Sequence, residues 1–256
     1  MNEKLKAFER LLHIMDELRE KCPWDREQTF ESLRNLSIEE VYELADAIIE
    51  KDAGEMKKEL GDLLLHIVFY AKIADEQQLF DIADVANAIC DKLIFRHPHV
   101  FGETDVNNDP EIVKKNWEEL KQREGNKSVL SGVPASLPAL VKANRVQEKV
   151  RAVGFDWDVR GQIWEKIDEE MKELQAEVEA MDVNKMEAEF GDLLFSIVNA
   201  ARLYGVDPET ALERTNKKFI KRFEYLEKNT IKKGKNLKDM SLDEMNVIWE
   251  DAKKED

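Results

Sequence analysis

Residues 39–43 read Glu39-Glu40-Val41-Tyr42-Glu43, and after fifteen residues the chain continues Glu59-Leu60-Gly61-Asp62-Leu63-Leu64. The pattern returns 130 positions on as Glu169-Glu170-Met171-Lys172-Glu173, fifteen residues, then Glu189-Phe190-Gly191-Asp192-Leu193-Leu194. Eight identities at a single offset mark an internal duplication. Weaker echoes flank each copy. Cys22-Pro23-Trp24-Asp25 and Gly154-Phe155-Asp156-Trp157 precede; Asp91–Arg96 and Lys217–Arg222 follow, the latter at an offset of 126. Between the copies lie Asn107-Asn108-Asp109-Pro110, a short helical stretch from Glu111 to about Arg123, and Ser131-Gly132-Val133-Pro134-Ala135-Ser136-Leu137-Pro138. The Pro and Gly cluster reads as a linker. The expected division is an N-terminal domain over 1–125, a linker over 126–138 and a C-terminal domain over 139–256.

Each copy carries helical periodicity. Leu60, Leu63, Leu64, Ile67, Val68 and Ala71 recur at i, i+3, i+4, i+7, i+8 and i+11, as do Phe190, Leu193, Leu194, Ile197, Val198 and Ala201. The spacing predicts helix pairs over 37–51 with 54–75, and over 162–181 with 185–204. Asp52 with Glu55, and Asn184 with Glu187, are expected to open the second helix of each pair; Gly205 is expected to end the last one. Asp62 falls nearly opposite the apolar stripe, with Glu59 between. Leu65 and Phe69 lie on that side too, so the acids are expected in a semi-enclosed space.

The composition agrees with an all-α chain: 37% charged and 43% hydrophobic residues, ten glycines and six prolines in 256 residues. No apolar run approaches the roughly 18 residues that cross a membrane, and the charged start is unlike a signal peptide. Two cysteines, Cys22 and Cys90, give no disulfide scaffold and make a reducing cytoplasm the expectation. A net charge of −16 argues against nucleic acid as the partner. It leaves room for a small anionic substrate bridged by a metal ion.

Glu40 and Glu43 share one helix face, and Glu59 and Asp62 come from the facing helix. Glu170, Glu173, Glu189 and Asp192 repeat the set. Four carboxylates around one point need cations, and hard oxygen ligands suit Mg²⁺ or Mn²⁺. Solvated faces paired with lysine are the bland alternative. A di-iron centre would want Glu-x-x-His, but His66 is at the wrong spacing and Ser196 replaces it in the second copy.

Glu-Glu-x-x-Glu followed by Glu-x-x-Asp resembles the signature of the MazG family of all-α nucleoside triphosphate pyrophosphohydrolases. Cys22–Phe30, Arg96–Phe101 and Val153–Trp157 also look like MazG segments, and the resemblance covers nearly the whole chain. It implies tandem helical domains of four-helix-bundle type and Mg²⁺-dependent hydrolysis of a nucleoside triphosphate to monophosphate and pyrophosphate. A homodimer and a house-cleaning role are implied with them.

On this reading Glu170, Glu173, Glu189 and Asp192 hold the metal, as do Glu40, Glu43, Glu59 and Asp62 in the first copy. Glu169, with Glu170 and Glu173 in the catalytic set, is expected to orient or deprotonate water. Lys166, Lys185, Asn216, Lys218 and Arg222 are expected to contact phosphate or ribose, and Trp249 to stack on a base or pack on the core. The first copy has Leu36 and Glu55 where the second has Lys166 and Lys185, but keeps Lys92 and Arg96. The C-terminal copy is therefore expected to be the main hydrolase.

Trp24, Trp117, Trp157 and Trp164 are expected to be packing residues. His97-Pro98-His99 is expected at a turn or subunit contact rather than at zinc. A narrower substrate (dUTP, a damaged nucleotide or an alarmone) stays open. So does a helical adaptor with structural carboxylates that regulates a partner protein.

Overall fold

Each Glu-rich repeat folds into a helical hairpin whose turn is built from one left-handed residue and one aspartate. In the first, Lys51 takes φ 58° and the Asp52 carboxylate accepts from the Gly54 and Glu55 amides at 2.8 and 3.1 Å. In the second, Met181 takes φ 57° and Asp182 accepts from the Lys185 amide at 3.3 Å. The aspartates are repeat partners, and each satisfies backbone donors left open at a helix start. The second hairpin therefore starts its return helix at Val183, capped by Asp182. The sequence-based choice of Asn184 fails because the chain has already turned helical by that residue.

The computed structural model describes residues 2–106, 109, 112, 113, 116, 120, 128–232 and 234–255. Among the described residues 79% are helical and none lies in a strand. It divides into two units, Met1–Trp117 and Glu118–Asp256. The helix expected from Glu111 to Arg123 falls mostly outside the described residues, as does Trp117.

The first unit contains α1 (Glu3–Lys21), α2 (Pro23–Glu27), α3 (Phe30–Glu50), α4 (Ala53–Glu76), α5 (Ile82–Arg96) and α6 (Pro98–Phe101). Helices α3 and α4 form the hairpin, and α1 and α5 pack on α4. Met15, Leu33, Val68, Phe69 and Ile73 form the buried core, from α1, α3 and α4. Helix α3 starts seven residues before the expected Ser37. Thr29 and Ser32 cap each other reciprocally there. Ser37 is interior to the helix, where its hydroxyl donates to the Leu33 carbonyl at 3.0 Å and meets the Tyr70 hydroxyl at 2.8 Å.

The second unit contains α7 (Ala139–Arg151), α8 (Gln162–Ala180), α9 (Val183–Leu203), α10 (Pro208–Lys232) and α11 (Leu242–Ala252). Helices α8 and α9 form the hairpin; α7 packs on α9 and α10, and α11 on α10. Ile163, Leu174, Leu193, Val198, Ala200, Leu226 and Ile248 fill its interior. Gly205, at φ +73°, follows the end of α9 as expected. Ser241 and Glu244 form the capping box of α11.

An arginine anchors each flanking echo. Arg19 of α1 pairs with Glu76 at the end of α4 and donates to the Asp25 and Gln28 carbonyls. Arg202 at the end of α9 pairs with Asp156, which Arg151 also approaches at 3.5 Å. Burial pushes the Asp156 carboxyl up, but Arg202 and the Trp157 amide outweigh this and hold it below the usual range.

The expected apolar stripes are only half covered. Val68 and Ala71 are buried, but Leu60, Leu64 and Ile67 are exposed, as are Phe190, Leu194 and Ile197. The stripe is broader than its neighbouring helices can cover. Trp24 and Trp164 are also more than half exposed, so they are not core residues. Trp164 meets Tyr204 at the surface, its indole N–H donating to the phenol oxygen at 3.0 Å.

Leu33→Ala, which opens a cavity in the first core, should cost about 2–5 kcal/mol in urea denaturation. Met181→Gly should stabilise by up to about 1 kcal/mol, because glycine adopts the left-handed turn without a Cβ clash.

Candidate metal centres

In the first hairpin, one carboxylate oxygen each from Glu40 and Glu43 of α3 and Glu59 of α4 come within 4.8 Å of one another. In the second, Glu170 and Glu173 of α8 and Glu189 of α9 do the same. The i, i+3 pair lies on one helix face, and the hairpin turn sets the register of the third acid. Asp62 and Asp192 stand outside this closest grouping, yet their charges bear on Glu40 and Glu189 respectively.

The electrostatics show what the groups lack. Burial, then Asp62, Glu43 and Glu59, push the Glu40 carboxyl above the ordinary range. Burial, then Glu173, Asp192, Glu170 and Glu177, do the same to Glu189. The Glu59 Oε2 atom is buried without a hydrogen-bond partner. Three hard oxygen donors, uncompensated like charge and an orphaned carboxylate oxygen fit a divalent cation of the Mg²⁺ or Mn²⁺ kind.

Each group holds one ammonium. Lys166 Nζ lies 2.9 Å from both Glu169 Oε1 and Glu170 Oε1. Lys185 turns to Glu177 and Asp182, at 3.5 and 3.9 Å. In the first hairpin Lys58 Nζ lies 2.9 Å from Glu59 Oε1 and holds that carboxyl below its usual range. The sequence comparison overlooked Lys58, because adjacent helix residues do not share a face. It also overlooked Glu177, whose only sequence signal was its position one turn beyond Glu173.

His66 is buried and lies outside the acidic group; desolvation lowers its pKa, against the pull of Asp62. His97 and His99 stack obliquely at 5.6 Å around the start of α6, and neither joins a ligand group among the described residues.

The remaining expected substrate contacts lie on α10 and α11. Asn216 donates to Glu213 at 3.3 Å, and Lys218 is exposed. Trp249 packs against Phe219 with ring centroids 5.0 Å apart, and the Arg222 guanidinium lies 6.0 Å over its indole. Trp249 is thus seated on the protein's own α10, with part of the ring exposed.

Two helical hairpins that each converge three glutamates define an all-α protein built on duplicated acidic centres. The profile of the MazG nucleotide pyrophosphohydrolase domain matches residues 28–101 and 162–226. The chain is 46% identical to the nucleoside triphosphate pyrophosphohydrolase/pyrophosphatase MazG of Thermotoga maritima, over 99% of this chain and 98% of that one. It is 40% identical to the nucleoside triphosphate pyrophosphohydrolase of Escherichia coli K12, over 98% and 99% of the two chains. It also matches the uncharacterized YabN of Bacillus subtilis at 45%, over 96% of this chain but 51% of that one. The chain belongs to the MazG family, a family of enzymes.

Glu40→Gln and Glu189→Gln should each raise the melting temperature of the metal-free protein, by removing like charge. Both should shrink the further rise that Mg²⁺ gives the native chain. The sign follows from the raised folded-state values. The penalty is full above them and vanishes below the ordinary glutamate value near about 4.3. Acidification should therefore close the gap between native and variant melting temperatures.

Proposed function

We propose that the chain hydrolyses nucleoside triphosphates, ribo or deoxy, to nucleoside monophosphate and pyrophosphate in a Mg²⁺-dependent reaction that cleans the nucleotide pool. The convergence of three glutamates in each MazG hairpin, left with uncompensated charge, carries this reading. Full-length similarity to enzymes named for the reaction supports it.

Glu170, Glu173, Glu189 and Asp192 hold the cation in the C-terminal centre, and Glu40, Glu43, Glu59 and Asp62 in the N-terminal one. When bound, Mg²⁺ supplies neutralisation of phosphate charge and acidifies bound water. The protein's own groups do the rest. Glu169, exposed beside Lys166, orients or deprotonates the attacking water. Lys166 exchanges its carboxylate partners for phosphate oxygens as substrate enters. Lys185, Asn216, Lys218 and Arg222 add donors for phosphate and ribose, and Trp249 with Arg222 offers one surface to a base. The C-terminal centre is the main one because the first copy has Leu36 and Glu55 where the second has Lys166 and Lys185.

A homodimer covers the exposed apolar rows Leu60, Leu64, Ile67 and Phe190, Leu194, Ile197. A regulatory protein partner is the other occupant such rows admit. No described helix is long and apolar enough to cross a membrane. Two free thiols, Cys22 and Cys90, fit a reducing cytoplasm.

Phosphorus NMR of each NTP and dNTP with Mg²⁺ should show monophosphate and pyrophosphate, abolished by EDTA. Orthophosphate with a diphosphate would overturn the reaction. Glu173→Gln should lower kcat/KM at least about 100-fold, or about 2.7 kcal/mol, and Glu43→Gln by no more than about threefold. Equal losses would refute the assignment of the main activity.

A further inference from the structure

Glu59 and Glu170 are the acids their centres bury most, at 3% and 5% exposure. They are not repeat partners: Glu59 corresponds to Glu189, and Glu170 to Glu40. Each nonetheless carries one lysine ammonium at 2.9 Å. Those lysines are not repeat partners either, since Lys58 corresponds to Ala188 and Lys166 to Leu36. The ammonium and the buried carboxylate have therefore changed helix together. Both sit on the return helix α4 in the first hairpin and on the leading helix α8 in the second.

We propose that Lys58 is the phosphate-contacting lysine of the N-terminal centre, doing there from α4 what Lys166 does from α8. The proposal rests on the nucleotide-hydrolysis reading above. Lys58 occupies Glu59 Oε1 while Glu59 Oε2 is buried without a partner, so the ammonium neutralises only part of the acidic group. Its side chain is 60% exposed on a flexible stem and touches Glu55 only at 3.5 Å, so it is free to swing. A divalent cation held by Glu40, Glu43 and Glu59 would compete with Lys58 for the same carboxylate. Once released from Glu59, the ammonium regains a charged partner in a phosphate oxygen of the incoming triphosphate. The N-terminal centre is then a second nucleotide site rather than a vestige.

A purely superficial ion pair and a phosphate lysine differ in the signs they give. The test uses full-length protein carrying Glu173→Gln, which weakens the C-terminal centre, with and without Lys58→Ala. Free Mn²⁺ is followed by electron paramagnetic resonance, and binding of a non-hydrolysable nucleoside triphosphate by calorimetry. Lys58→Ala should tighten Mn²⁺ several-fold, because the competing ammonium is gone. It should weaken the triphosphate analogue about tenfold or more, the worth of a hydrogen bond to a charged group. Lys58→Arg should restore the triphosphate affinity. Unchanged constants, or both moving in one direction, would overturn the assignment. Hydrolysis by the native chain is measured alongside. Its absence strikes the hydrolysis reading itself; its presence with an indifferent Lys58→Ala strikes only the role of Lys58.

Discussion

The structure is organised around a repulsion. Three glutamates are held close together twice in one chain, and the folded state tolerates this because the hairpins are fixed by contacts elsewhere. Leu33, Val68, Phe69 and Ile73 lock α3 against α4, and Ile163, Leu174, Leu193 and Val198 fill the interior that α8 and α9 share. Apolar burial at about 25 cal/mol per Å² supplies the stability that the acids subtract. A lysine on the most buried acid of each group offsets part of the charge, and the raised Glu40 and Glu189 values register what is left. Like charge that the lysines leave unbalanced favours a cation at each group.

The duplication was legible from the sequence because the identities fall at one offset. The hairpins followed from the 3.6-residue period, and the acidic groups from the spacing of Glu40, Glu43 and Glu59 with their partners. What was not legible has physical causes. Asp182 and Asn184, two residues apart, both suit a helix start, and only the left-handed turn at Met181 selects Asp182. Helix α3 ran further back than Ser37 because a serine hydroxyl satisfied by the carbonyl one turn earlier is compatible with a helix interior.

Periodicity reports only that a face is apolar. It does not report whether the cover comes from the same chain. Leu64 and Val68 lie one turn apart on the same stripe, and one is exposed while the other is buried. Lys58 was invisible for a related reason. Sequence reasoning pairs residues by helix face, whereas a long side chain can bend round to its immediate neighbour when a desolvated carboxylate attracts it.

The anchors at the helix ends have a mechanical consequence. Helix α4 carries Glu59 near its start, is capped there by Asp52, and is held at its far end by Glu76 bonded to Arg19. Helix α9 carries Glu189, is capped by Asp182, and is held at its far end by Arg202 bonded to Asp156. Each is tied at its far end to another element by an ion pair, which opposes a roll about its own axis. A glutamate's oxygens stand several ångströms outside the roughly 2.3 Å Cα radius, so a roll of about 10° would sweep them by about 1 Å. A displacement of that size is enough to spoil alignment in a reaction that depends on positioning. The arginines therefore act as torsion stops: they hold the aim of acids that lie at the opposite ends of the same helices.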